Sequence, residues 1–163
     1  MNSTRDLLPE FDQEMKTTRR LLERVPSDKG AWKPHPKSFS LRHLAQLVAR
    51  MPGWLTAMLA HSELNLAGGP GYPLETTATL LGVFDENVVA ARAALAAATA
   101  ERLAQPWSLK MGDQVLLTQR RGEIVRQTIN HLVHHRGQLT VYLRLLDVPI
   151  PSIYGPTADE KWG

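Results

Sequence analysis

Four long stretches of the chain carry apolar residues every three or four positions, which is the spacing of an amphipathic helix. The pattern predicts helices at about 8–25, 41–64, 77–100 and 121–146, the first of them ending near Pro26. Each helix has one apolar face to bury, and four such helices can bury their faces around a common core. The sequence therefore predicts an all-α protein built as a four-helix bundle.

Residues that interrupt or begin helices refine this prediction. Pro52 and Gly53 are expected to kink or break the second helix, and Ser38 or Ser40 would cap its beginning. Between the third and fourth long helices, turn residues followed by a β-prone run predict one short β-hairpin within 107–117. We expect this hairpin to lead directly into the last long helix.

The composition limits the classes of protein that the chain can belong to. Its 163 residues suit one hydrophobic core, so we expect a single domain over residues 1–163. The absence of cysteine excludes disulfides, cysteine-ligated zinc and a thiol nucleophile of its own. The net charge is +3, from 19 basic and 16 acidic residues. Because the basic residues are spread along the chain, nucleic acid is not the expected partner.

No stretch approaches the roughly 18 consecutive apolar residues that a membrane-spanning helix needs. The first ten residues also lack the apolar run of a signal peptide. We therefore expect a cytoplasmic protein that has no membrane partner.

Three of the six histidines lie within the segment Asn130–Leu139. His131 and His135 are four positions apart, so a helix would place both imidazoles on one face, partly buried, with Cβ atoms roughly 5–6 Å apart. A helix presents two neutral nitrogens to one transition metal with this spacing. His134 points about 100° away from His135 and is not expected to be a ligand.

A catalytic metal commonly has three protein ligands and one open position, so the third ligand should come from another helix. His43, at the margin of the apolar face of the second helix, is the first candidate. The alternatives are two further histidines and two carboxylates, namely His35, His61, Glu123 and Asp113. If no metal binds, these histidines would be packed or hydrogen-bonded residues, which is the commoner role of a lone helical histidine.

The motif lacks the glutamate that acts as general base in the helical His-Glu-x-x-His pattern of metallopeptidases. Leu132 occupies that position here, so a peptidase of this type is not expected. A metal-bound water could serve as the nucleophile, or the open position could polarise a substrate oxygen or accept a substrate thiolate.

Gln127, Gln138 and Tyr142 are predicted on nearly the same helical face as His131. They could bind substrate or orient a ligand ring, or they could be interfacial polar residues. Tyr154 would either cover a pocket mouth or hold the proline-rich tail against the bundle. The tryptophans are expected as core or interface anchors, at Trp32, Trp54, Trp107 and Trp162.

The chain resembles the DinB-like superfamily of bacterial proteins. The most specific resemblance lies in Asn130–Leu139, which contains a His-x-x-x-His-Arg-Gly-Gln pattern. Supporting matches occur along most of the chain after about Trp32, in the runs 52–54, 121–123, 142–144, 148–151 and 154–160.

The resemblance implies a four-helix bundle in which three histidines hold a divalent metal. Two of them match His131 and His135, and the third is expected five residues before Pro52, where this chain has Leu47. Either His43 substitutes from one turn earlier, or the site has two protein histidines. We expect Zn²⁺ or Ni²⁺ as the metal. The resemblance further implies a low-molecular-weight thiol such as bacillithiol or mycothiol as possible co-substrate, and a homodimer.

Two functions follow from these expectations. The first is a metal-dependent enzyme acting on a small molecule, as a thiol transferase or a hydrolase. The second is a non-catalytic bundle that binds a ligand or partner and has an incomplete or vestigial metal site.

Overall fold

The structure, a computed structural model, describes residues 4–68, 71–73 and 75–161. Its elements in chain order are α1 (Thr4–Leu22), a short 3₁₀ helix (Ser27–Lys29), α2 (Leu41–Ala60), β1 (Glu63–Asn65), α3 (Thr77–Ala97), α4 (Ala100–Ala104), β2 (Pro106–Met111), β3 (Gln114–Arg120) and α5 (Arg121–Leu145). The four long helices and the hairpin before the last of them confirm the predicted fold class. Trp162 lies outside the described residues.

The four long helices share one apolar core. Helix α2 packs against α3 and α5, and α1 packs against the same two helices from the other side. The buried residues on these faces recur at helical spacing, as the sequence predicts, with Phe11, Leu44, Phe84 and Leu139 each at most 1% exposed. In the described part of the chain, no helix is both long and apolar enough to cross a bilayer.

Helix α2 is continuous from Leu41 to Ala60, so a break at Pro52 and Gly53 is wrong, and the alternative of a kink stays a prediction. Its first turn is capped by Ser40, whose hydroxyl accepts a hydrogen bond from the backbone N–H of His43 at 3.2 Å. A Cβ at Gly53 would lie 2.7 Å from Oδ1 of Asn87, so the glycine allows α3 to approach closely. Packing against α3 and α5 outweighs the hydrogen bond lost at Pro52.

The hairpin belongs to a three-stranded sheet with the order β1-β2-β3. Strands β2 and β3 are antiparallel, whereas β1 pairs in parallel with β2. The sequence pattern extends the second helix to about Leu64, but the structure ends α2 at Ala60 and places Leu64 in β1. The register sets Leu64 opposite Leu109 and Leu109 opposite Leu117, so the strands form a row of three leucines.

The tail after α5 is held against the bundle. Tyr154 donates a hydrogen bond from its hydroxyl to Oε1 of Glu14 in α1 at 2.8 Å. Arg136 in α5 donates to the same hydroxyl at 2.9 Å. Tyr154 therefore anchors the tail to the helices, as one of the two expectations for this residue proposes.

Candidate metal and ligand site

His131 and His135 project from successive turns of α5 and converge. Their Nε2 atoms are 2.9 Å apart, and their ring centroids are 4.6 Å apart. His135 is half-buried, as expected, but His131 is an exposed side chain, contrary to the expectation that both would be partly buried. The centroid of the His131 ring lies 6.1 Å from that of Trp54 in α2.

Gln138 determines which nitrogen of His135 is available. Its amide oxygen accepts a hydrogen bond from Nδ1 of His135 at 2.8 Å, which leaves the lone pair on Nε2. Nε2 of His131 then donates to Nε2 of His135. The amide nitrogen of Gln138 donates to Nε2 of His134 at 3.1 Å, so Gln138 links both neighbouring histidines. His135 therefore has the tautomer that a metal ligand requires.

The separation of the two nitrogens can be compared with that of two ligands on one ion. Metal–imidazole bonds of about 2.0–2.1 Å place adjacent nitrogens about 2.9 Å apart at a right angle and about 3.4 Å apart at a tetrahedral angle. The observed 2.9 Å lies at the short end of this range. The pKa of His131 is lowered, first by the partial loss of water around its ring and then by repulsion from His135 and His134. Both effects favour the neutral imidazole, and binding of an ion through Nε2 would require the ring proton on Nδ1.

His43 does not complete the pair. Its ring is stacked between Phe39, at a centroid distance of 4.1 Å, and Tyr72, at 3.7 Å. Burial lowers the pKa of His43, with smaller contributions from His135 and Lys33. Within residues 4–68, 71–73 and 75–161, no group of three histidines or carboxylates is placed to hold an ion.

The other candidate ligands lie on exposed parts of the molecule. His35 is in the loop before α2, where its Nδ1 accepts from the backbone of Lys37. His61 follows the end of α2, Asp113 is in the hairpin turn, and Glu123 is in the first turn of α5. The described structure groups none of them with the histidine pair into a metal site.

A cavity of about 790 Å³ has His131 among its lining residues. One wall is a face of α2 and the opposite wall is a face of α5. The leucine row of the sheet and Trp107, which is 1% exposed, close a third side. The helical lining residues are Leu47, Arg50, Trp54 and Met58 from α2, and Ile124, Gln127, Thr128 and His131 from α5.

The polar residues predicted near His131 have different locations. Gln127 lines the cavity, whereas Gln138 contacts His135 and His134. Tyr142 lies further along α5, where its hydroxyl donates to the carbonyl of Phe39 at 3.2 Å and its ring meets that of Trp32 edge to face.

Two arginines near the site were missed by the sequence reasoning. Arg50 lines the cavity, and its helical spacing from Leu47 and Trp54 could have placed it on the same face. Arg136, next to His135, is 1% exposed and forms an ion pair with Glu14 at 2.7 Å. A charged residue inside the apolar stripe of a helix is the signal that could have identified Arg136.

The fold and the site together define a class of protein, a helical bundle with a small flanking sheet and a histidine pair, one member of which lines a largely apolar cavity. The sequence model of the DinB family matches residues 1–162, and the chain belongs to this family.

Two solved structures have the same fold. A DinB-like protein from Bacillus cereus ATCC 10987 has a TM-score of 0.73 at 18% identity, over 92% of this chain and 97% of that chain. A DinB-like protein from Bacillus subtilis, YjoA, has a TM-score of 0.68 at 18% identity, over 86% of this chain and 92% of that chain. At this identity the likeness shows the fold alone.

The chain is also similar to the uncharacterized protein YrdA of Bacillus subtilis (strain 168), at 46% identity over 41 residues. The match spans 25% of this chain and 24% of the length of YrdA.

The donor set fits only part of the metal site that the family resemblance implies. Two imidazole nitrogens converge, but the third expected position is Leu47, a side chain that is 7% exposed and lines the cavity. The described residues therefore fit a two-imidazole site and do not fit a three-imidazole site.

Proposed function

We propose that the protein binds a small, largely apolar molecule in the cavity between α2, α5 and the sheet. The observation that carries this proposal is the cavity itself, whose volume of about 790 Å³ lies within the range of small-molecule sites, about 300–1,000 Å³. Its wall is mostly aliphatic and aromatic, and a few polar groups, among them Gln127 and His131, could orient the ligand.

An uncharged fluorescent probe, N-phenyl-1-naphthylamine, tests this proposal. We expect saturable binding to the wild-type protein that weakens at least tenfold in Leu117→Trp, because the larger ring would occupy the cavity. Leu116→Trp is the matched control, since Leu116 is the neighbouring, exposed residue on the other face of β3. Circular dichroism would verify that both variants fold. Non-saturable binding, or equal affinity in the two variants, would contradict the proposal.

The second candidate is a metal-dependent enzyme for a small molecule, a thiol transferase or a hydrolase. The convergence of Nε2 in His131 and His135, and the hydrogen bond that orients His135, favour it. These two residues would hold Zn²⁺ or Ni²⁺ with His43 outside the site, and the ion would supply Lewis acidity next to the cavity. A low-molecular-weight thiol would be the co-substrate.

Isothermal titration with Ni²⁺ and Zn²⁺ tests the metal site without reference to activity. We expect one ion per chain in the wild type and in His134→Ala, and none in His131→Ala or His135→Ala. His134 is the matched control because it lies beside His135 but contacts Gln138 instead of the converging nitrogens. Equal uptake by all four proteins would rule out this pair as the site.

For either function we propose that the protein is a cytoplasmic homodimer. Its binding partner would be the small-molecule ligand. The dimer is what the resemblance to the DinB-like superfamily implies, and light scattering after size-exclusion chromatography measures it. A mass of one chain at micromolar concentration would contradict it.

A further inference from the structure

The wall of the cavity contains a cation for which the described part of the chain supplies no carboxylate partner. Among the described lining residues, Arg50 carries the one permanent charge, and no aspartate or glutamate is present. Arg50 lies on α2 between Leu47 and Trp54, so its side chain belongs to an apolar face.

Most of the donors of Arg50 are unused within the described protein. One N–H donates to the carbonyl of Gly71 at 2.6 Å, and the guanidinium lies 5.6 Å from the centre of the ring of Tyr72. A guanidinium has five N–H donors, so donors remain for another acceptor. Arg19 of α1 and Arg92 of α3, by contrast, face carboxylates.

We propose that the ligand of the cavity is an apolar monocarboxylate, whose anionic head is bound by Arg50 and whose hydrocarbon body lies against the leucine row of the sheet. This inference rests on the proposed function. A planar guanidinium fits the two oxygens of a carboxylate, and the attraction is stronger beside an apolar wall than in bulk water. A cation without a protein carboxylate discriminates against positively charged ligands.

Three ten-carbon competitors that differ in their head group test this inference. Decanoate, decanol and decyltrimethylammonium would each be titrated against bound N-phenyl-1-naphthylamine in wild type, Arg50→Gln and Arg42→Gln. Arg42 is the matched control because it is an arginine of the same helix that does not line the cavity.

In the wild type we expect decanoate to compete at least tenfold more tightly than decanol, and decyltrimethylammonium to compete most weakly. Arg50→Gln should lower the affinity for decanoate at least tenfold and change the affinity for decanol by less than twofold. The unchanged affinity for decanol would also show that the cavity remains intact. Arg42→Gln should behave as the wild type.

Decanol binding as tightly as decanoate, or unchanged decanoate affinity in Arg50→Gln, would overturn the choice of ligand while the binding function stands. If none of the three compounds displaces the bound probe from the wild-type protein, the ligand class is overturned. The binding function is judged separately, by the saturable binding of the probe and its weakening in Leu117→Trp.

Discussion

Leu47 and His131 line the same cavity from two different helices, α2 and α5. Leu47 occupies the position at which the family resemblance places a third metal-binding histidine. Leu47→His should therefore add an imidazole beside the converging pair and tighten the binding of Ni²⁺ or Zn²⁺ at least tenfold. Leu44→His, three residues earlier in the core, should not. Titration calorimetry measures the difference, and equal affinities would place position 47 outside the reach of the ion.

The hydrogen bond between Gln138 and His135 should control metal affinity. Gln138→Leu removes the acceptor of Nδ1–H, so His135 loses the partner that fixes its tautomer and ring orientation. We expect the affinity for a divalent ion to fall about tenfold or more. Gln127→Leu is the control, because Gln127 lines the cavity but does not hydrogen-bond either ring. Similar losses in both variants would argue against this role of Gln138.

Removing the buried cation of α5 should strongly destabilise the fold. Arg136→Met leaves the carboxylate of Glu14 without its ion pair in a buried position, which typically costs about 3–5 kcal/mol. Arg126→Met breaks the half-exposed pair with Glu10 and should cost about 1 kcal/mol or less. Urea unfolding measures both.

The double variant Arg136→Met/Glu14→Leu separates the loss of the pair from the burial of an unpaired charge. It should recover much of the stability lost in Arg136→Met, because no isolated carboxylate remains. A double variant as unstable as the single variant would locate the role of Arg136 in its bonds to Thr18 and Tyr154.

His43 should make the fold sensitive to acid. Its pKa is lowered by burial in the folded state, so below about pH 6.5 the unfolded chain binds more protons and the free energy of unfolding falls. His43→Phe keeps an aromatic ring between Phe39 and Tyr72 but cannot titrate. The loss of stability between pH 7.5 and pH 5.5 should therefore be smaller in the variant, as measured by chemical denaturation. If the variant loses as much stability over this pH range as the wild type, the acid sensitivity comes from other groups.

Two helical glycines should respond differently to alanine. Gly82 in α3 has open space where a Cβ would lie, so Gly82→Ala should raise the free energy of unfolding by about 0.5–1 kcal/mol. Gly53→Ala should raise the free energy of unfolding less than Gly82→Ala does, or lower it. The reason is that the new Cβ displaces Asn87 from its 3.3 Å hydrogen bond to the carbonyl of Ala49. An equal gain in the two variants would mean that Asn87 moves without cost.

The sequence predicted the features that depend on neighbours along the chain. Helical spacing placed His131 and His135 on one face, and turn residues identified the hairpin that leads into α5. Strand β1 could not be predicted, because three residues carry little periodicity and their partner in β2 lies about 45 positions later. Arg50 was missed for a related reason, since its importance depends on the cavity, which forms only between packed elements.

One wall of the cavity, the leucine row, depends on the pairing of the strands in the sheet. Leu64 reaches the wall only when β1 is docked beside β2, and a shift of one residue would turn it to the opposite face. A molecule that lies against the row would therefore add its binding energy to the docking of β1, because it binds the docked state alone. Binding of the molecule in the cavity and pairing of β1 with β2 would then be one equilibrium instead of two.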